Sequence, residues 1–165
     1  MSSEKNFFKQ VKASLNKSNF IQKIENKYNS GFPDLIIITE TLPLFIELKA
    51  PIKGNRIKLE KSQVSTHLRI NKNNYISFIL KNDPRTSNAF LFDGYSVANA
   101  IVLGQEEPCF VFHGSISQCL QSANEKTMKR VCEFHSFWTE AICELEKIAK
   151  HKVTKWSLAN FVLLE

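Results

Sequence analysis

The chain has 165 residues, of which 43% are hydrophobic and 23% are charged, and its formal net charge is +6 at pH 7. This length and composition predict a folded globular protein with a sizeable core and exclude a disordered chain. No run approaches the roughly 18 uninterrupted apolar residues of a membrane helix, and residues 1–12 lack the apolar centre of a signal peptide, so we expect a cytoplasmic protein with no membrane partner.

The charge is spread unevenly along the chain. Residues 1–81 contain 14 Lys and Arg against 6 Asp and Glu, whereas residues 82–165 contain 8 against 10. A basic half joined to a slightly acidic half predicts that the first half binds a polyanion, most commonly nucleic acid. A lysine-rich solvated surface is the alternative explanation.

Hydrophobic periodicity predicts the elements in chain order. The predicted elements are a helix over 3–17, strands at 20–28, 35–38 and 44–48, a helix over 58–73, strands at 75–80 and 89–92, and a long helix over 124–150. The segments 89–101 and 109–121 both read as an aromatic strand, a glycine turn and a helix start, which predicts two similar strand-turn-helix units. The four cysteines form no CxxC pair, and the CxxH of Cys132 and His135 fits an amphipathic helix as well as it fits a metal site.

The apolar hairpin at 31–51 carries charges inside its strands. If Glu40 and Thr41 form a two-residue turn, paired positions add up to 81 and Asp34 lies opposite Glu47. Glu47 and Lys49 project from the same face because strand side chains alternate. Two carboxylates beside an apolar sheet favour a hard divalent cation, and the lysine would position water for attack on a phosphodiester. A solvent-facing hairpin with a simple ion pair is the alternative.

These motifs resemble those of the PD-(D/E)xK nucleases, in particular the virus-type replication-repair (VRR-NUC) nucleases and the phage Holliday-junction resolvases. The resemblance rests on Glu4, on KIENKYNSGFPDLIII (23–38), on FIELKAP (45–51) and on KSQVSTHLRI (61–70). It implies an α/β fold with a restriction-endonuclease-like αβββαβ core and a mixed central sheet. The resemblance covers roughly residues 4–93, so we expect residues 1–94 to be the nuclease core. The aromatic motif and the helical periodicity predict that residues 95–165 are a strand-turn-helix unit and a long-helix extension packed on it.

The resemblance also implies residue roles. Asp34 and Glu47 would bind Mg²⁺ or Mn²⁺ with help from the backbone carbonyl of Leu48. Lys49 would orient or activate the attacking water, and Gln63 would support the site from the following helix.

A further acid is implied for the metal site, and two residues compete for that role. Glu4 fits by its position in the first helix, and Glu25 is the alternative because it lies near the turn into Asp34. For contacts with the DNA backbone we expect the basic residues that follow the metal-binding strand, and His67, one turn beyond Gln63 on the same helix face. The basic residues are Lys53, Arg56, Lys58 and Lys61.

We therefore expect a metal-dependent endonuclease that hydrolyses DNA at branched, flapped or otherwise structured sites, without a small-molecule cofactor. The alternative is a catalytically silent DNA-binding module on the same fold, and RNA stays open as a substrate. For the extension, the roles considered are a homodimer interface through the C-terminal helix, a lid and a partner-binding surface. Frequent Lys, Asn and Ile fit an AT-rich genome, so the compartment would be a bacterial or phage-infected host cytoplasm.

Overall fold

The computed structural model describes residues 3–17, 19–24, 31–39, 43–50, 57–105 and 110–149. The elements in chain order are α1 (Ser3–Ala13), β1 (Phe20–Lys23), β2 (Leu35–Ile38), β3 (Pro43–Lys49), α2 (Lys61–Lys72), β4 (Ser77–Asn82), β5 (Asn88–Asp93), α3 (Gly94–Leu103), β6 (Phe110–Ser115) and α4 (Ile116–Ala149). The first six elements follow the αβββαβ order, so the predicted core topology is confirmed. Among the described helices, none is long and apolar enough to cross a bilayer.

One mixed sheet contains all six strands in the order β1-β2-β3-β4-β5-β6. Every neighbouring pair is antiparallel except β3 and β4, which are parallel. Parallel strands cannot be joined by a tight turn, so the chain crosses over through α2 between them. This crossover brings the N-terminal half of α2 to the strand that carries the predicted metal ligands.

The two faces of the sheet differ in what covers them. One face packs against α1 and the first turns of α4 and forms the hydrophobic core. Its members include Phe7, Val11, Leu35, Ile37, Leu44, Ile46, Leu48, Phe78, Leu80, Leu91, Ile116 and Cys119, all buried. The alternate residues of the same strands point to the opposite face, on which α2 and α3 pack.

The start of α2 is set by a capping box. Glu60 is the N-cap in an extended conformation, and its backbone N–H donates to Gln63 Oε1 at 3.0 Å. The reciprocal bonds of a capping box satisfy backbone donors that the first helical turn leaves free. The helix therefore begins at Lys61, later than the predicted residue 58, and this cap holds Gln63 in one orientation.

His67 is buried where α2, α3 and β4 meet. Its ring is 1% exposed, and its Nδ1 lies 2.7 Å from Ser77 Oγ. A Cβ built on Gly94 would lie 2.4 Å from the same ring nitrogen, so only glycine allows α3 to start this close to the histidine. Burial lowers the pKa of His67 to about 4, with the Lys49 charge acting in the same direction.

The sheet continues through β6, beyond the predicted division at residue 94, and that division stays a prediction. The chain forms two compact units, Met1–Lys129 and Arg130–Glu165. β6 pairs with β5, so the strand-turn-helix unit predicted from the second aromatic motif lies within the first unit. The long helix is confirmed, but it begins at Ile116 rather than 124, directly after β6. In the described part of the second unit, Cys132 is exposed and unpaired.

Candidate active site

The β2–β3 hairpin brings the two predicted carboxylates together. Leu35 pairs with Ile46 and Ile37 with Leu44, so paired positions add up to 81 as the sequence predicts. One step beyond the last pair, Asp34 Oδ2 accepts a hydrogen bond of 2.8 Å from the backbone N–H of Leu48. The N–H and C=O of a strand residue point to the same side. The Leu48 carbonyl therefore faces the Asp34 side of β3, as a backbone metal ligand would require.

Glu47, Lys49 and Gln63 form one hydrogen-bonded cluster. Lys49 Nζ lies 2.8 Å from Glu47 Oε1 and donates to Gln63 Oε1 at 3.1 Å. Gln63 Nε2 donates to the same Glu47 Oε1. Asp34 lies next to this cluster, because it accepts a hydrogen bond from the backbone of Leu48, the residue between Glu47 and Lys49. The structure thus brings together the four side chains that the sequence assigned to catalysis.

The orientation of the Gln63 amide follows from its partners. The Glu60 backbone N–H and the Lys49 ammonium are donors only, so the side-chain oxygen of Gln63 must face them. Its NH₂ group must then face Glu47. Gln63 therefore couples the helix cap to the carboxylate and holds Lys49 and Glu47 in a fixed geometry.

Both carboxyl groups have raised pKa values. Burial raises the pKa of Glu47 to about 7, the charge of Asp34 adds to this effect, and the hydrogen bond and charge of Lys49 oppose it. Burial also raises the pKa of Asp34, against the hydrogen bond from Leu48. Because the charged forms are disfavoured by burial and by each other, the site is electrostatically suited to a cation.

Within the described part of the chain, one oxygen of Glu47 has no hydrogen-bond partner. Glu47 is 2% exposed, and its Oε2 is buried without any hydrogen bond among the described residues. A buried carboxylate oxygen without a donor is costly, and binding a cation would remove the cost. Asp34, Glu47 and the Leu48 carbonyl are hard oxygen ligands of the kind that Mg²⁺ and Mn²⁺ prefer. The residues therefore fit a divalent metal site.

Of the two candidates for the third acid, only Glu4 lies among the described residues. The charge of Glu4 raises the pKa of both Asp34 and Glu47, so the first turn of α1 is near enough to act on the site. Glu4 is exposed, and the described residues contain no group of three or more His, Cys, Asp or Glu side chains placed to hold a metal. Glu25 lies outside the described residues, so the choice between Glu4 and Glu25 stays a prediction.

The predicted DNA contacts fall into three groups. Lys58 and Lys61 are exposed just before and at the start of α2, close in sequence to Gln63. Lys53 and Arg56 lie outside the described residues. The assignment of His67 to this set is corrected, because a ring buried against Ser77 and Gly94 cannot reach a phosphate at the surface.

Lys81 is a site-facing residue that the sequence did not single out. It pairs with Lys49 across the parallel β3–β4 ladder, so the two side chains leave the same face of the sheet. Lys81 is 3% exposed, its Nζ lies 5.0 Å from the centre of the Phe90 ring, and burial lowers its pKa. A lysine inside the apolar run SFILKN was the available signal, but its position beside Lys49 requires the parallel register.

The turn before Asp34 lies against the start of α2. Gly31 has φ +102°, and a Cβ there would lie 2.4 Å from the backbone carbon of Ser62. Glycine is the residue that accepts both this left-handed conformation and this close approach. The G-x-P-D motif thus fixes Asp34 next to the helix that supplies Gln63.

Comparison with known proteins finds similarity at the level of solved structures. No protein-family model matches the chain, and no curated protein sequence is significantly similar to it. A solved VRR_NUC domain is 25% identical and covers 48% of this chain and 84% of its own, with a TM-score of 0.41. Hjc, a Holliday junction resolvase of the archaeal hyperthermophile Archaeoglobus fulgidus, is 16% identical and covers 70% of this chain and 89% of its own, with a TM-score of 0.43. A shared fold does not fix the reaction, which depends on the residues of the site.

Proposed function

We propose that this protein is a divalent-metal-dependent endonuclease that hydrolyses phosphodiester bonds in branched or otherwise structured DNA. The observation that carries the proposal is the environment of the two carboxylate oxygens of Glu47. One of its oxygens is held by Lys49 and Gln63, and the other is buried and has no hydrogen-bond partner among the residues that the structure describes. A structural ion pair would satisfy both oxygens, whereas a metal-binding carboxylate needs one free.

The proposed metal is Mg²⁺ or Mn²⁺, held by Asp34, Glu47 and the carbonyl of Leu48. Bound there, the ion would supply positive charge next to the scissile phosphate and make water a stronger nucleophile at neutral pH. Glu4 is our first choice for an additional ligand, through water or directly, because its charge already acts on both carboxylates.

The protein's own groups then set the geometry of the reaction. Lys49 is fixed between Glu47 and Gln63, so its ammonium can donate a further hydrogen bond to the attacking water or to a phosphate oxygen. Gln63 joins the ion pair of Lys49 and Glu47 by a hydrogen bond to each residue, so it holds both side chains in place. Asp34 is oriented by the Leu48 N–H, which leaves its second oxygen for the cation.

The choice of DNA rests on charge and on the motif resemblance. The basic half of the chain contains the whole site, and the exposed Lys58 and Lys61 lie close in sequence to Gln63. Lysines that neutralise phosphates release counterions, so binding should weaken steeply with salt. Structured DNA as the preferred substrate follows the resemblance to replication-repair nucleases and resolvases.

The test is cleavage of a labelled panel: linear duplex, single strand, flap and four-way junction, each in Mg²⁺, Mn²⁺ or excess EDTA. We expect metal-dependent cleavage, with a preference for a branched substrate. Glu47→Gln should lower the rate by more than about 100-fold, since even residues that only support metal ligands cost 10- to 100-fold. Glu133→Gln, an exposed acid in α4, is the matched control and should retain the wild-type rate.

Two outcomes would overturn the proposal. Cleavage that persists in EDTA, or in Glu47→Gln, would exclude the metal site described here. Tight and salt-sensitive DNA binding without turnover in either metal would instead favour the catalytically silent DNA-binding module.

A further inference from the structure

An aromatic cleft lies beside the catalytic cluster. Its volume is about 530 Å³, and its aromatic lining consists of Phe32, Phe45 and Tyr75. Its polar lining comes from α2 and the residue after it, namely Thr66, Arg69 and Asn73. The proposed chemistry gives none of these residues a role.

The cleft is continuous with the catalytic site along two elements. On β3, Phe45 precedes Glu47 by two residues, so both side chains leave the same face, with Cα atoms about 7 Å apart. On α2, Thr66 follows Gln63 by three residues, so the helix face that supports Glu47 continues towards the cleft. Phe45 pairs with Ser77, so Tyr75 lies about four strand positions from Glu47, and a ligand in the cleft would lie about one to two nucleotides away from a phosphate bound at Glu47.

The aromatic residues form a connected series. The rings of Phe32 and Phe45 are 6.2 Å apart at 85°, and those of Phe45 and Tyr75 are 6.0 Å apart at 78°. Edge-to-face packing fixes each ring by its neighbour. Tyr75 is 54% exposed at the open end of this series, so it offers aromatic surface to a ligand without refolding of the cleft.

The polar groups favour a nucleotide over an apolar peptide. Arg69 is exposed and can pair with a phosphate or stack on a base. Asn73 Nδ2 donates to the Arg69 carbonyl at 2.8 Å, which leaves its amide oxygen as an acceptor for a base N–H. Aromatic faces combined with an arginine are the usual means by which proteins bind single-stranded nucleic acid.

We propose that this cleft binds one unpaired nucleobase next to the scissile phosphate, so that the enzyme cuts DNA at a junction between single and double strand. The inference rests on the proposed function and narrows its substrate class. A base inside a duplex is stacked and paired, and it cannot enter the cleft unless those contacts are broken. Fully paired linear DNA should therefore bind through its phosphates alone.

The test measures binding rather than cleavage, in Glu47→Gln protein so that the DNA stays intact. The probe is a duplex with one unpaired 2-aminopurine, compared with the fully paired duplex of the same sequence. Tyr75→Ala should weaken binding of the unpaired probe about 5- to 100-fold and should abolish quenching of its fluorescence, while binding of the paired duplex stays within about twofold. Tyr75→Phe should retain both, and Tyr95→Ala, an exposed tyrosine on α3 outside the cleft, is the matched control.

Arg69 provides a second measurement. Arg69→Ala should reduce affinity for the unpaired probe more than Lys72→Ala does, although Lys72 is an exposed cation in the same last turn of α2. Equal losses would mean that Arg69 contributes only general charge.

The inference would be wrong if Tyr75→Ala left binding of the unpaired probe unchanged, or if it weakened both probes equally. These results are distinguishable from a failure of the proposed function. Cleavage that does not depend on Tyr75 would support the proposed nuclease activity and contradict the proposed base-binding cleft. If the protein cuts no DNA but binds the unpaired base in a way that depends on Tyr75, the base-binding cleft would be supported and the nuclease activity contradicted.

Discussion

The two faces of β3 show how one strand serves stability and chemistry at once. Leu44, Ile46 and Leu48 point into the core and are at most 1% exposed. The alternate residues Glu47 and Lys49 point to the opposite face. There the buried Glu47 carboxyl has a raised pKa, and one of its oxygens has no hydrogen-bond partner in the described ranges. The apolar side chains of the core face are fully buried against other apolar groups, whereas the site face buries a carboxyl group at an electrostatic cost. The difference indicates that packing on one side of the strand offsets an electrostatic cost on the other side.

The largest expected effect is on the core face. Ile46→Ala removes a fully buried side chain between α1, α4 and the sheet, so it should lower the free energy of unfolding by about 2–5 kcal/mol. Urea denaturation measures the change. The matched control is Ile38→Ala on β2, where the side chain is 47% exposed and the loss should be much smaller. Equal losses at the two positions would contradict the division into a core face and a site face.

On the site face, by contrast, a substitution at Glu47 should raise the free energy of unfolding. Glu47→Gln keeps the shape of the side chain but removes a buried charge whose pKa is raised from 4.5 to about 7. At pH 8 and in EDTA the variant should be more stable than the wild type by roughly 3 kcal/mol, because a pKa difference of one unit corresponds to 1.36 kcal/mol.

Metal should reverse that order. Mg²⁺ or Mn²⁺ that binds the folded wild type should raise its unfolding midpoint, whereas the variant should respond weakly. A variant that is less stable than the wild type in EDTA would show that Glu47 serves packing and not metal binding.

The fold was predictable from the sequence where local patterns decide it. Strand alternation and the short turn fix the β2–β3 register, so the opposition of Asp34 and Glu47 follows from position numbers alone. The long amphipathic helix and the strand-turn-helix repeat also follow from periodicity. These features depend on neighbours in the sequence, and the structure confirms them.

The rest depends on contacts between distant elements. Helical spacing puts His67 one turn beyond Gln63, but it cannot show that α3 starts at Gly94 against that ring and buries it. The partnership of Lys81 with Lys49 requires the parallel β3–β4 register, and the place of β6 in the sheet requires its pairing with β5. The aromatic cleft joins residues from β3, α2 and the segments before β2 and β4, so no single stretch of sequence signals it.

The smallest expected effect concerns how the free energy of unfolding depends on pH, because two groups on the site face contribute with opposite signs. Glu47 has a folded pKa of about 7 against 4.5 when unfolded, so the folded state holds its proton more tightly and stability falls as pH rises through this window. His67 has a folded pKa of about 4 against 6.5, so the folded state binds fewer protons and stability rises with pH between these values. Between pH 5 and pH 7 each effect amounts to about 2 kcal/mol, and the two have opposite signs.

The two single variants should separate these effects in metal-free buffer. Relative to the wild type, Glu47→Gln should gain about 2 kcal/mol of stability between pH 5 and pH 7, because the contribution of His67 is then unopposed. His67→Asn, which keeps a polar atom near Ser77 Oγ, should lose about the same amount over the same range. The measured quantity is the slope of the unfolding free energy against pH, so a general loss of stability from the cavity at His67 does not affect the result. Parallel slopes in all three proteins would mean that neither group titrates differently on folding, and the electrostatic contrast between the two faces of the sheet would then have no basis.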